Sequence, residues 1–168
     1  NGIVYNGIKW QGLNIQIPLK GMFQKKNTAL AIAVLENLSS NAVNLNTSKV
    51  VDGISSVIWP GRLQKISDNP EIILDGACNV GAMEAVRDFI AERNNPKVIA
   101  VVGICSDKDV EGVLNVLTPV VSSFIFTRAE NPRSLSAEKI AEFASDGVQY
   151  YNESEPIRAL GKAIGLAC

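Results

Sequence analysis

Charged side chains that follow turns and strand ends are the residues in this sequence best suited to chemistry. Arg62 comes directly after the turn-forming Trp59-Pro60-Gly61, and Asp75 follows the short apolar run Ile72-Ile73-Leu74. The planar guanidinium of an arginine can hold two phosphate oxygens at once. A carboxylate beside the start of a helix can accept hydrogen bonds from a ribose, while the helix N-terminus attracts phosphate. These residues therefore indicate a nucleotide-facing edge.

Each of these residues also has a simpler structural interpretation. Arg62 fits a solvent-exposed position after a turn, and either Asp75 or Asn79 could cap the helix that follows. Asp107-Lys108-Asp109 fits the acidic first turn of another helix. The loop is not a P-loop, because Ala82-Met83 stand where lysine and serine or threonine are required. By chemistry alone, the residues indicate an α/β domain that binds a nucleotide at one edge.

Histidine is absent from the sequence, and the three cysteines, Cys78, Cys105 and Cys168, are widely spaced. The absence of histidine excludes Ser-His-Asp and Cys-His catalytic arrangements and any histidine-based metal site within the chain. An odd number of cysteines without a CxxC pair disfavours a disulfide framework or a zinc site. We expect each cysteine to be a small buried apolar residue in a reducing environment.

The composition of the 168-residue chain is that of one domain, or of one domain with a fragment of another. Its hydrophobic content of 46% excludes a disordered chain. A net charge of −1 lacks the basic excess that nucleic acids and anionic membranes require of a partner. No apolar run approaches the roughly 18 residues of a membrane helix, and no secretory signal opens the sequence. We therefore expect a cytoplasmic protein that binds neither nucleic acid nor membrane.

Residues 1–57 begin with the pattern of a β-hairpin. Asn6-Gly7 predicts a tight turn between strands at residues 3–5 and 8–10. Residues 13–17 alternate between apolar and polar side chains, which predicts one further, half-buried strand.

Two helices should follow these strands. The first is predicted over residues 24–38, and the second has Ser48 as its cap. Apolar residues recur at helical spacing on the first helix, at Leu30, Ala33, Val34 and Leu38. These few elements form only a thin layer, so we expect an apolar face to remain exposed and the segment to be the tail of a larger domain.

From residue 58 onward the sequence alternates between short apolar runs and helical patterns. The predicted strands are residues 72–74, 98–102, 124–126 and 148–151. Ser136 and Ser154 would cap the last two helices. On the final helix, we expect Ile157, Leu160 and Ile164 to face the core. Four successive strand–helix units predict an α/β fold with a mostly parallel, Rossmann-like sheet and helices on both faces.

Five segments of the sequence resemble motifs of one enzyme family. They are Gly21-Met22-Phe23-Gln24-Lys25-Lys26-Asn27, Trp59-Pro60-Gly61-Arg62-Leu63-Gln64, Asp75-Gly76-Ala77-Cys78-Asn79, Asp107-Lys108-Asp109 and Asn131-Pro132-Arg133-Ser134. In order and spacing these segments are similar to the G-x-H-Q-x-x-N, W-P-G-R-L-E/Q, D-G-A-H-N, D-K-D and N/H-P-R-A/S motifs of folylpolyglutamate and dihydrofolate synthases. Those enzymes are members of the Mur ligase superfamily.

The resemblance implies a three-domain ligase that uses ATP and Mg²⁺. Such an enzyme activates a carboxylate of folate or dihydropteroate as an acyl phosphate, which the amine of L-glutamate attacks to form an amide. Residues 1–57 would be the tail of the central ATPase domain, and residues 58–168 the C-terminal glutamate ligase domain, truncated at its end. Asn27 would contact the adenine, while Arg62 and Asp75 would contact ATP from the other side of the cleft.

Two family histidines are replaced in this sequence. Phe23 stands for the histidine of the first motif, and Cys78 for the histidine near the transferred phosphate and the amino acid. Cys78 is therefore a candidate catalytic position with altered chemistry. The family's P-loop, magnesium-binding acids and closing T-G-S strand have no counterpart here. We expect a chain truncated at both ends that holds no metal itself and is inactive alone.

Two other functions fit the same residues. One is an amide-bond ligase of the same superfamily that acts on another carboxylate and another amino acid. The other is a non-catalytic α/β module that binds a nucleotide or a protein partner. The exposed apolar face expected on the first helix also predicts that a chain of this length forms a homodimer through residues 1–57.

Overall fold

The computed structural model describes residues 1–41, 43–93 and 97–167. Its elements, in chain order, are β1 (Gly2–Tyr5), β2 (Leu13–Gln16), α1 (Phe23–Asn41), α2 (Thr47–Ser55), β3 (Gln64–Asp68), β4 (Glu71–Leu74), α3 (Val80–Ala91), β5 (Ile99–Val102), α4 (Val110–Leu117), a 3-10 turn (Thr118–Val120), β6 (Ser123–Phe126), α5 (Ala137–Ala141), β7 (Tyr150–Asn152) and α6 (Pro156–Ala167). They form two compact units. The first unit comprises Asn1–Ile66 with Ile73–Gly76, and the second comprises Ser67–Ile72 with Ala77–Cys168.

The first unit contains a hairpin, but with a different partner strand from the one predicted. β1 and β2 pair antiparallel, with Ile3 opposite Ile15. The predicted alternation over residues 13–17 is confirmed, since Ile15 and Ile17 are buried. The predicted strand at residues 8–10 is wrong, because that segment lies in the loop between β1 and β2.

A carboxylate, rather than a strand ladder, holds this loop. Glu36 lies on α1 and is only 6% exposed. It accepts hydrogen bonds from three consecutive backbone N–H groups, those of Ile8 (3.2 Å), Lys9 (2.5 Å) and Trp10 (2.5 Å). Backbone donors that a side chain satisfies need no partner strand. The loop therefore stays irregular although its sequence contains a strong tight-turn signal.

α1 confirms the helix predicted over residues 24–38 and extends it at both ends. Its buried residues are Gln24, Thr28, Ile32 and Glu36. Ile32 joins Trp10 and Ile15 in the core of the first unit. The expected exposed apolar face is present, with exposed fractions of 67% for Leu30, 52% for Val34 and 44% for Leu38.

Two of the three predicted helix caps are wrong. At α2 the cap is Asn46 instead of Ser48, because the Asn46 side-chain oxygen accepts two backbone N–H groups at 2.9 and 3.4 Å. At α6 the carboxylate of Glu155, rather than Ser154, accepts two backbone N–H groups at 3.0 and 3.2 Å. The predicted cap Ser136 of α5 is confirmed. Polar neighbours compete for the same helix end, and the local backbone decides between them.

β4 confirms the strand predicted over residues 72–74, but it does not join the parallel sheet. It pairs with β3, a strand that was not predicted, in a two-stranded sheet. Only Asn69 and Pro70 separate the two strands, so β3 is the nearest partner along the chain. In the described part of the chain the parallel sheet therefore has three strands instead of four.

The parallel sheet of the second unit has the order β5-β6-β7. Phe124 and Phe126 project from one face of β6 into a core shared with α3, α4 and α5. Ile125 projects from the other face against Ala159 and Ala163 of α6. A strand buried on both faces is expected when helices cover both sides of a parallel sheet, which confirms the predicted α/β fold.

α6 contacts the sheet through its small residues. Ala159 is fully buried, whereas Ile157 and Leu160, which were predicted to face inward, are 79% and 36% exposed. Ile164 is half-buried. Alanine lets a helix axis approach the strands more closely than a branched side chain does, so the helix rotates to place its alanines inward.

Candidate functional site

The turn at residues 59–63, called the Arg62 turn below, presents Arg62 between two left-handed residues. Gly61 and Leu63 have φ angles of 72° and 43°. The carbonyl of Gly61 accepts a hydrogen bond from the N–H of Gly76 at 2.8 Å. The Arg62 side chain is exposed. The turn therefore presents a cation to solvent on a defined backbone.

Asp75 is bonded to the Arg62 turn. Its Oδ2 accepts the backbone N–H of Leu63 at 2.8 Å. The cap of α3 is Asn79, whose Oδ1 accepts the N–H of Ala82 at 2.9 Å. Of the two cap interpretations left open by the sequence, the structure supports Asn79.

The segment that precedes α1 lies against the same turn. Gly21 has a φ angle of 97°, and a Cβ atom at this position would lie 3.0 Å from Cδ1 of Leu63. Near the start of α1, Asn27 is exposed, and its Nδ2 donates to Oε1 of the buried Gln24 at 3.3 Å. Three of the four predicted site residues thus belong to adjoining segments of the first unit.

Cys78, the fourth predicted site residue, lies in the second unit. It is exposed, and Cys105 is half-buried, so the expectation of buried apolar cysteines is wrong for Cys78. Cys78 precedes the first residue of α3 and therefore lies in the loop instead of on the inward face of the helix. Cys168 lies outside the described residues.

Cations and an acid gather in the loops of the second unit. Asp107 pairs with the ammonium of Lys108 at 3.0 Å and with the guanidinium of Arg133 at 3.3 Å. The hydrogen bond from Lys108 lowers the pKa of the Asp107 carboxyl. The same bond raises the pKa of Lys108, and the nearby thiol of Cys78 contributes to that rise. Lys108 therefore lies within electrostatic reach of Cys78.

Lys108 and Arg133 lie in two of the motif segments, but they were not predicted as site residues. The loop after β5 and the loop after β6 are joined by backbone hydrogen bonds, from Ser106 N–H to the Arg133 carbonyl at 2.8 Å and from Leu135 N–H to the Ile104 carbonyl at 3.0 Å. The carboxyl ends of neighbouring parallel strands meet at one edge of a sheet. Both motifs follow predicted strands that are neighbours along the chain. That position was the signal that could have identified Lys108 and Arg133 as site residues.

α3 and α4 approach closely next to this cluster. Asp109 caps α4 by accepting the N–H of Gly112 at 2.9 Å, which confirms its interpretation as a helix-start residue. A Cβ atom at Gly112 would lie 2.3 Å from the carboxylate of Asp109 and 2.8 Å from Cγ2 of Val80. The space between the two helix starts therefore admits only glycine without displacement.

A pocket of ≈ 380 Å³ opens beside Lys108, near the start of α4 and α5. Its lining mixes cationic, acidic and apolar side chains, including Lys108, Lys139, Glu142, Leu135 and Phe143. Small-molecule sites commonly occupy about 300–1,000 Å³, and this volume lies at the lower end of that range.

The described residues include no group of three or more histidine, cysteine, aspartate or glutamate side chains that could hold a metal ion. Magnesium prefers carboxylate oxygens in octahedral geometry. Among these residues, too, there is no helix with the length and apolar character needed to cross a membrane.

Known proteins share this sequence and fold. Residues 61–168 match the family model described as Mur ligase, glutamate ligase domain. Over 138 residues the chain is 33% identical to the dihydrofolate synthase/folylpolyglutamate synthase of Escherichia coli, with 82% of this chain and 31% of that protein covered.

Solved structures agree with the sequence match. A Mycobacterium tuberculosis folylpolyglutamate synthase complexed with ADP gives a TM-score of 0.82 at 29% identity, covering 91% of this chain and 35% of that one. A bifunctional folylpolyglutamate synthase/dihydrofolate synthase with Mn, AMPPNP and L-glutamate bound gives 0.74 at 29% identity, covering 93% and 36%.

This chain spans about a third of the length of these relatives. The family match includes Gly61, Arg62 and Leu63 of the Arg62 turn, Asp75 and the whole parallel sheet. More than half of the chain is matched, and the parallel sheet with helices on both faces is the fold that its sequence predicts. The chain therefore belongs to the Mur ligase family, through its glutamate ligase domain.

Proposed function

We propose that this chain is the C-terminal part of an ATP-dependent ligase that adds L-glutamate to folate or dihydropteroate through an acyl phosphate. The observation that carries the proposal is the junction of the Arg62 turn, Asp75 and the segment before α1 in one unit. Relatives that align along this chain are named as synthases of this kind, and one is complexed with ADP. Residues 1–57 would then be the tail of the ATPase domain, and residues 58–168 the glutamate ligase domain.

Three residues of the first unit are the proposed ATP contacts. Arg62 is exposed and offers a fork of donors that suits phosphate oxygens. Asp75 uses Oδ2 to hold Leu63, and a carboxylate is the kind of acceptor that suits ribose hydroxyls. Asn27 is exposed at the start of α1, where its amide suits the polar edge of adenine.

The cluster of the second unit is the proposed site for the anionic groups of the amino acid. Lys108 and Arg133 carry two positive charges that share the single carboxylate of Asp107. These two cations are the groups that would attract a carboxylate of the amino acid. Cys78 lies within electrostatic reach of Lys108 and stands where the family has a histidine. A cysteine side chain cannot donate as a cation, so the glutamate step would rely on Lys108 and Arg133.

ATP would supply the phosphoryl group that activates the substrate carboxylate, and Mg²⁺ would neutralise charge on the transferred phosphate. The family's magnesium-binding acids have no counterpart in this sequence, so the ion's ligands are proposed to come from other parts of the ligase. This chain's residues would bind and orient the nucleotide and the amino acid. The other functions that the sequence permits, a ligase for different substrates and a non-catalytic binding module, differ in which molecules bind.

Titration of the chain with ATP, followed by amide resonances, tests the proposal. We expect affinity in the millimolar range, since part of a cleft supplies part of the contacts while the ordering cost remains. Shifts should cluster at residues 60–64 and 75–80, and Arg62→Ala should weaken binding. Arg158→Ala removes another exposed arginine, from α6, and should leave the affinity unchanged. Shifts confined to residues 148–168 would contradict the assignment.

A second titration separates the substrate classes. L-glutamate should shift amides near Lys108 and Arg133, and D-glutamate or L-lysine should do so more weakly. A chain that binds ATP but responds to another amino acid instead of glutamate supports the ligase for different substrates. A chain that binds ATP and no amino acid supports the non-catalytic module.

We also propose that the 168-residue chain forms a homodimer through residues 1–57. The support is the apolar stripe on α1, formed by Leu30, Val34 and Leu38, which are all at least 44% exposed. Exposed apolar patches of this kind tend to be covered by a partner.

A further inference from the structure

Leu63 combines a strained backbone with complete burial. Its φ angle of 43° makes it the one non-glycine residue with positive φ among those that the structure describes. It is only 1% exposed. A left-handed conformation is uncommon for a branched apolar side chain and persists only where the surroundings impose it.

Two contacts impose this conformation, and each comes from a different segment of the first unit. The backbone N–H of Leu63 donates to Oδ2 of Asp75 at 2.8 Å. The side chain reaches Gly21, where an added Cβ atom would lie 3.0 Å from Cδ1 of Leu63. The ring of Phe23 lies closer still to that Cβ position, so glycine at position 21 makes room for both Phe23 and Leu63.

Leu63 is not simply part of the main core of its unit. That core contains Trp10, Ile15 and Ile32, with partly buried residues packed around it, and Leu63 is not among them in the described chain. Its hydrogen bond to Asp75 and its approach to Gly21 instead place it at the junction of the segment before α1, the Arg62 turn and Asp75. These are the segments that carry the proposed nucleotide contacts.

We infer that Leu63 is a positioning residue for Arg62, an inference that rests on the proposed nucleotide site. Arg62 lies between Gly61 and Leu63, so backbone rotation at either neighbour would swing its guanidinium. The bond to Asp75 and the contact with Gly21 prevent that rotation at Leu63. They also fix the turn against the segment that leads into α1 and Asn27. Leu63 therefore keeps the phosphate-binding and adenine-binding residues in register without touching the nucleotide.

A double-mutant cycle on ATP affinity tests this role. Leu63→Ala keeps the backbone N–H but removes the contact with Gly21, and we expect it to raise the dissociation constant for ATP about fivefold, within the usual coupling range of contacting residues. In an Arg62→Ala background the same change should have almost no effect, because the side chain that it positions is absent. Leu63→Met, which has a side chain of similar volume, should bind ATP as tightly as the original chain does.

Ile15→Ala is the matched control, since Ile15 is equally buried in the same unit but lies in the main core. It should lower the melting temperature without changing ATP affinity. If Leu63→Ala does not fold, Leu63→Val serves in the same cycle, because its β-branched carbon opposes the left-handed backbone.

The outcomes separate this inference from the proposed function. If Arg62→Ala weakens ATP binding but Leu63→Ala has no effect, or an equal effect with and without Arg62, the positioning role is overturned and the nucleotide site stands. If Arg62→Ala leaves ATP binding unchanged, both are overturned. Coupling between the two substitutions supports both.

Discussion

Glu36 shows how one side chain can organise a loop that lacks secondary structure. Its carboxylate accepts three backbone N–H groups, and the Tyr5 hydroxyl donates to it at 3.0 Å. The hydrogen bond from Trp10 is the main cause that lowers the pKa of Glu36. Burial raises the pKa of the Tyr5 hydroxyl, and the neighbouring carboxylate adds to that effect. The folded chain therefore favours the ionised form of Glu36.

Glu36→Gln should lower the melting temperature at neutral pH, because the amide group of glutamine places donors against backbone donors. The pKa of Glu36 is lower in the folded chain, so its stabilisation is complete above the ordinary carboxyl pKa of about 4.3 and is lost as pH falls through the lowered value. Thermal unfolding from pH 7 to pH 3 should show the difference between the two proteins shrinking toward acid.

The control for this experiment is Glu142→Gln. Glu142 is exposed and pairs with Lys139 on the surface at 2.9 Å, an arrangement that contributes little to stability. This variant should unfold like the original chain at neutral pH. A difference for Glu36→Gln that stays constant from pH 7 to pH 3 would contradict a stabilising carboxylate.

At the scale of elements, α1 buries the polar residues Gln24, Thr28 and Glu36 and exposes an apolar stripe. Gln24 and Glu36 are bonded by other groups on the buried side, and Ile32 supplies the main apolar contact. The stripe of Leu30, Val34 and Leu38 lies four residues apart at each step, so it forms one continuous face. Such a face suits another apolar surface.

Val34→Asp tests the proposed homodimer by placing a charge at the centre of this stripe. Sedimentation at micromolar concentration should give a dimer for the original chain and a monomer for the variant, because an interface cannot bury an unpaired charge without a large cost. Ile157→Asp changes an exposed apolar residue on α6 in the second unit and should leave the dimer intact. A monomeric original chain would refute the dimer.

The elements that could be predicted are those with a local signal. α4 carries a complete apolar face, and its residues Val110, Val113, Leu114 and Leu117 are all buried. Asn46 and Glu155 cap α2 and α6 in place of the predicted serines. Several polar residues near each helix start are able to accept the same N–H groups, so the sequence alone does not choose between them. The strand predicted at residues 8–10 failed for a different reason, since Glu36 lies 26 residues from Trp10 in sequence. No local pattern contains that contact.

The candidate site divides in the same way. Arg62 and Asp75 were identified from their motifs, but their mutual arrangement depends on Leu63, whose left-handed backbone no composition rule indicates. Lys108 and Arg133 meet only because β5 and β6 are neighbours in the sheet. Motifs could therefore name candidates, while pairing of strands and burial decided which of them came together.

At the scale of the whole molecule, the 168-residue chain should show neither ATPase nor ligase activity. Phosphoryl transfer depends on a P-loop, its lysine and magnesium, and the sequence contains no such loop. Phosphate release from ATP, measured with Mg²⁺, a folate and L-glutamate present, should equal the background of buffer alone. Magnesium-dependent release that disappears with Asp75→Ala would contradict this expectation.

Gly112 constrains how this domain can be recombined with its relatives. The starts of α3 and α4 leave no room for a side chain at this position, since Asp109 and Val80 occupy the space. In a chimera that takes α3 from one ligase and α4 from another, any residue but glycine here would displace the side chain of Asp109 or of Val80. We expect crossover points outside residues 80–112 to preserve this packing, because Val80, Asp109 and Gly112 then come from the same parent.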